Sequence, residues 1–138
     1  MPFDLGRFVE AQEGIYPDIL EELRAGHKDT HWIWFIFPQI AGLGSSGMSQ
    51  RFAISSLHEA RAYLAHPVLG ARVRECIAAV LATEGRAADE IFGALDAMKV
   101  RSSMTLFHRA APDEPLFGQV LDRLYAGVED ELTIALVR

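Results

Sequence analysis

At 138 residues the chain is the size of one domain, read here as a single domain over residues 1–138 that hides roughly two-thirds of its unfolded surface. Half of its residues are hydrophobic and 23% are charged, a globular composition that excludes disorder. Thirteen Lys and Arg against nineteen Asp and Glu leave a net charge of −6, so the chain lacks the phosphate-neutralising field that nucleic acid or an anionic membrane requires of a partner.

The N-terminus carries Asp4 and Glu10 rather than a basic patch ahead of an apolar run, so no signal peptide is read there. Asp4 is a good N-cap for a first helix, with Leu5, Phe8, Val9 and Gln12 at helical spacing. Gly14 interrupts. Pro17 suits the first turn of a second helix with Ile19, Leu20 and Leu23 on one face, and Gly26 ends it. A short polar loop leads to Thr30.

Residues 32–37, Trp-Ile-Trp-Phe-Ile-Phe, hold both tryptophans, and from Thr30 to Leu57 the only formally charged side chain is Arg51. The β-branched and aromatic composition favours a strand, apolar on both faces and therefore buried on both sides. No second strand is evident to pair with it, and an unpaired buried strand leaves its backbone polar groups unsatisfied; a short buried helix satisfies them internally. Pro38 then breaks the element. At six residues the run is far below the about 20 needed to span a bilayer. With a lone Cys76, which cannot form an intrachain disulfide, this predicts a soluble cytoplasmic protein.

Residues 41–50 read as a Gly- and Ser-rich loop. Ser56-Leu57-His58-Glu59 is a capping box opening a helix with Ala60, Ala62 and Leu64. Pro67 starts another, striped by Leu69, Val73, Ile77, Val80 and Leu81, and Cys76 falls beside that stripe as a small apolar residue. Gly85 lies beyond its end. A short helix over 87–92 follows, then a longer one from Asp96 to His108. Leu116, Val120, Leu121, Leu124 and Tyr125 mark a helix closed by Gly127, and a final one covers about 129–137. The reading is all-α, a compact domain of about six to eight helices.

The chain resembles the domain-of-unknown-function 1810 family, small and mostly bacterial proteins, some of which carry a calpastatin label. The resemblance runs through Arg7-Phe8, Ala11-Gln12, His31 to Gln39, Gly42-Leu43-Gly44, Glu59-Ala60, Tyr63-Leu64, His66-Pro67, Leu69-Gly70, Asp96, Lys99 and Ser102 to Phe107. It implies an all-helical single domain, which turns the 32–37 segment towards helix. It implies no activity and carries over no catalytic residue.

Four groups of residues have chemical potential. The aromatic run is either core alone, burying up to about 20 kcal/mol of apolar surface, or core that also floors a pocket, with Trp32 or Trp34 stacking on a base, sugar or cation. The loop at Gly42, Gly44 and Ser46, with Arg51 after it, suits an anion-binding nest or is a plain solvent loop; it matches neither the P-loop nor the dinucleotide fingerprint. His31, where a polar loop enters the run, is a general-base candidate or a structural histidine. His27 is four residues earlier, but no third ligand stands at metal-binding spacing, so no metal and no cofactor are predicted.

Asp96, Lys99 and Ser103 share one face of the long helix with Ser102 beside it, either an ion pair with packing serines or a polar cluster facing a pocket. The order Lys99-x-x-Ser102 reverses the S-x-x-K motif of penicillin-binding proteins and lends it no support. His58 is expected exposed, His66 to be a turn residue and His108 to complement its helix dipole.

Three readings follow. One is a binding module for an anionic small molecule, nucleotide- or sugar-phosphate-like, held by Arg51, Lys99 and the glycine loop over an aromatic floor. The second is a hydrolase or group transferase in the same pocket, with His31 as base and Asp96 as its partner. The third is a helical interaction domain without a pocket. Monomer and homodimer both remain open.

Overall fold

A computed structural model describes residues 3–138, and among these the chain is helical with no strand. Ten helices run in order, seven of them seven residues or longer. They are α1 (Gly6–Gln12), α2 (Tyr16–Arg24), α3 (Ile33–Ile36), α4 (Gly47–Arg51), α5 (Leu57–Ala65), α6 (Leu69–Leu81), α7 (Ala88–Phe92), α8 (Ala94–Ala110), α9 (Pro115–Tyr125) and α10 (Glu131–Val137). The expected all-α architecture is what the chain adopts.

Helix α8 is the axis. It packs against α3, α5, α7, α9 and α10, while α6 lies across α2, α5 and α9. Its second half, Ser102 to Phe107, is buried all round, which only a central helix requires. A line of aromatic contacts crosses the core from α1 to α9: Phe8 meets Tyr63 edge-on at 5.1 Å, Tyr63 meets Phe107 at 5.5 Å, and Phe107 meets Phe117 at 5.4 Å.

The 32–37 segment resolves into one helical turn, α3. Trp32, Ile33, Phe35, Ile36 and Phe37 are all buried. So short a helix leaves carbonyls without internal partners. The Phe35 carbonyl accepts from Gln12 Nε2 at 2.7 Å and from the Tyr63 hydroxyl at 3.2 Å, and Arg72 Nη1 steadies the Gln12 amide oxygen at 3.1 Å. Beyond Pro38 the chain makes a single parallel bridge, Ile40 to Ile54. Ile54 N donates to the Gln39 carbonyl, and Ala41 N donates to the Ile54 carbonyl.

Three local expectations are corrected. Asp4 does not cap α1: the helix begins after Leu5, and Arg7 Nη1 donates to the Asp4 carbonyl instead. The same guanidinium bonds the Ala53 carbonyl at 2.8 Å and Glu59 Oε2 at 3.2 Å, so long-range anchoring outweighs a cap. Residues 47–51 of the expected loop are helical, capped by Ser46 Oγ, which accepts from Ser49 N. The Ser56 box is half closed: Ser56 Oγ accepts from Glu59 N, but the Glu59 carboxylate reaches back to Ser55 N rather than Ser56 N.

Candidate functional site

The N-terminal half of α8 is its exposed half, and two adjoining clefts meet there at Lys99. The first is a groove of about 290 Å³ between α8, residues 39–49 and α10. Gln39, Leu43, Gly44 and Ser49 form one side, Leu95, Met98, Lys99 and Ser102 the floor, and Asp130 with Leu132 the far wall. The second, about 450 Å³ and shallower, runs over the start of α8 between His31, Trp34, Gly93, Asp96 and Lys99.

Local sequence explains the groove. Leu95 and Met98 point outward one turn apart on α8, 76% and 67% exposed. Helix α10, Glu-Leu-Thr-Ile-Ala-Leu-Val, is apolar over most of its surface, yet it packs mainly on α8, and Leu132 and Leu136 are left to solvent. Its entry is held firmly. Arg101 donates to the Val128 and Glu129 carbonyls, Asp130 N donates to Thr105 Oγ1 at 2.9 Å, and Asp130 Oδ2 caps α10 through Thr133 N. Opposite, Gly44 approaches so closely that an added Cβ would lie 2.5 Å from Ser49 Oγ.

The charges at the junction are unequal. Asp96 pairs with Lys28 at 2.7 Å and with Lys99 at 3.4 Å, so one carboxylate serves two ammonium groups. Lys28 is the buried, closer partner and also lies over the Trp32 ring at 5.1 Å. Lys99 lies over the Trp34 ring at 5.2 Å, keeps part of its surface in solvent, and carries the excess positive charge.

The residues named from the sequence divide accordingly. Lys99, Ser102 and Gly44 line the groove; His31, Trp34, Asp96 and again Lys99 line the shallower cleft. His31 and Asp96 share that cleft without a hydrogen bond between them among the described residues. Ser102 Oγ donates back to the Met98 carbonyl at 3.2 Å rather than to Lys99. Ser103 is fully buried, its hydroxyl unpartnered and away from both clefts. Trp32 is core, its indole N–H held by Glu22 Oε1 at 3.1 Å. Ser46 is occupied as a helix cap, and Gly42 faces the Leu136 side chain. Arg51 is exposed over the Phe52 ring and lines neither of Lys99's clefts.

Glu22 organises the loop into the aromatic segment. Burial opposes its ionisation, but donors from Thr30 Oγ1, the Thr30 and Asp29 amides and Trp32 Nε1 prevail and hold its pKa at about 2. Cys76 is fully buried, and burial pushes its thiol up to about 12, an inert core residue. His58 is exposed, and His66 Nδ1 accepts from the Val68 and Leu69 amides at the turn into α6. No cluster of three metal-binding side chains occurs among the described residues, and no described helix is long and apolar enough to cross a membrane.

Sequence reasoning passed over Leu95, Met98, Asp130 and Leu132. A signal was present: a short last helix that is apolar over most of its surface cannot bury every side.

The chain belongs to the family described as "Protein of unknown function (DUF1810)", whose profile matches residues 2–137. Among solved structures it is similar to the conserved hypothetical protein Rv1873 from Mycobacterium tuberculosis, at 52% identity over 99% of this chain and 98% of that one, with a TM-score of 0.97. No curated protein matches it.

Proposed function

We propose that this protein is a binding module for a small anionic molecule with an apolar part, taken up in the groove between α8, residues 39–49 and α10. One observation carries the reading: a single groove joins the under-neutralised Lys99 to walls of Leu43, Leu95, Met98 and Leu132. A concave site, mostly apolar with a few polar groups, is the usual form of a small-molecule site.

The character of the walls shifts the ligand away from a nucleotide or sugar phosphate and towards an organic acid. Arg51 has no part in it, and the glycine loop contributes a wall rather than an anion nest. Lys99 supplies the charge as a compact, flexible cation suited to a carboxylate or phosphate.

A thermal-shift series with medium-chain carboxylates and organic phosphates tests the reading. A ligand at 100 times its dissociation constant adds about 2.7 kcal/mol of stability. Lys99→Ala is expected to abolish the shift and Arg51→Ala to leave it intact. Absence of any shift across the series, or a shift lost in Arg51→Ala and kept in Lys99→Ala, overturns the reading.

A further inference from the structure

The groove carries a second charge, opposite in sign to Lys99. Asp130 lines its far wall. Both hydrogen bonds that the Asp130 carboxylate accepts, from Thr133 N at 3.0 Å and Thr133 Oγ1 at 2.5 Å, fall on Oδ2. Oδ1 accepts none among the described residues, and no cation pairs with this carboxylate there. Arg101 donates instead to the Val128 and Glu129 carbonyls through Nε and Nη2, and Arg109 pairs with the Glu129 carboxylate.

The carboxylate is also fixed in position. Asp130 N bonds Thr105 Oγ1, which places Asp130 beside residue 105 of α8. Lys99 and Thr105 are six residues apart on that helix, about 9 Å along its axis. Between them the floor is Met98 and Ser102, and the walls are Leu132 and Leu43. The groove is thus positive at one end, negative at the other and apolar between.

We propose that the ligand of this groove is a small zwitterion, with a carboxylate at Lys99, an ammonium or equivalent cationic donor at Asp130, and an apolar stretch between them. This rests on the groove being a small-molecule site. A ligand bearing only an acid would leave Asp130 facing an apolar chain with one oxygen desolvated, and that cost is what selects the second group.

The probes are 6-aminohexanoate, hexanoate and hexylamine, titrated by calorimetry and thermal shift. 6-Aminohexanoate is expected to bind at least about tenfold more tightly than hexanoate, the worth of one charge-assisted hydrogen bond. In Asp130→Asn that ratio is expected to fall to near one. Asn caps a helix about as well as Asp, so α10 keeps its N-terminus, and an unchanged melting temperature without ligand verifies this.

If hexanoate and 6-aminohexanoate bind equally, and both are lost in Lys99→Ala, the zwitterion inference fails and the anion reading stands. If the tenfold preference survives in Asp130→Asn, the inference fails as well. If none of the three binds, or hexylamine alone binds and Lys99→Ala leaves it unaffected, both fall.

Discussion

Gly70, at the start of α6, sits beneath the end of α5, where an added Cβ would stand 2.1 Å from the Leu64 carbonyl oxygen and 2.9 Å from Arg74 Nη1, which itself bonds that carbonyl at 3.0 Å. A backbone atom cannot step aside as a side-chain tip can. Gly70→Ala is therefore expected to cost about 3 kcal/mol, read as a lowered denaturation midpoint in urea at unchanged slope. Glu22 makes a pH-dependent contribution of definite sign. Its pKa is about 2 folded against 4.5 for the free group, so its stabilisation is complete above about pH 4.5 and is lost as pH falls towards 2. Stability measured from pH 5 to pH 2 is expected to fall less steeply in Glu22→Gln than in the parent chain.

At the scale of elements, α3 is a single turn that could not persist alone, because nucleating a helix costs more than one turn returns. Helices α1 and α5 hold it by supplying two donors to one carbonyl, that of Phe35. Gln12→Ala and Tyr63→Phe should each destabilise the fold by about 1–2 kcal/mol, with the double variant departing from additivity by about 1 kcal/mol because both act on the same oxygen. Additive losses in a double-mutant cycle would show that the two donors act independently. Composition points to a strand for this segment, and the lack of a partner strand points to a helix. Its residues are those of a strand, and the backbone takes the helical turn because buried peptide groups need partners, which Gln12 and Tyr63 bring from distant parts of the chain. The longer helices were plain from apolar spacing at Leu69, Val73, Ile77 and Val80, where one face is buried and one is not. The turn α4 was missed because Gly47 is a poor helix former; its Ser46 cap was the available signal.

Over the whole molecule, α10 is the least embedded in the core of the helices of seven residues or more, with Thr133 its one buried residue. It packs on α8, four of its residues, including Leu132 and Leu136, lie at the surface, and its entry depends on Arg101 and Asp130. Arg101→Ala is expected to lower hydrogen-exchange protection of residues 131–137 selectively, leaving α5 and the second half of α8 protected. Because Leu132 and Asp130 wall the groove, the same change should weaken ligand binding more than it lowers the melting temperature. Uniform loss of protection would instead make α10 part of one cooperative unit with the core.

The sequence by itself determined that the chain is helical, where the core stripes run and that Cys76 is a packing residue, because these follow from local spacing and composition. It also marked Asp96, Lys99 and Ser103 as one face of a helix with Ser102 beside it, since spacings of three and four residues bring side chains together there. Only the tertiary structure decided which of the named groups meet. It brought His31 to Lys99, turned Ser103 inward, left Arg51 out of the lining of both clefts, and set Asp130 in the same groove as Lys99. Those distances depend on how α8, residues 39–49 and α10 pack, and packing joins residues too far apart in the chain for any local pattern to relate them.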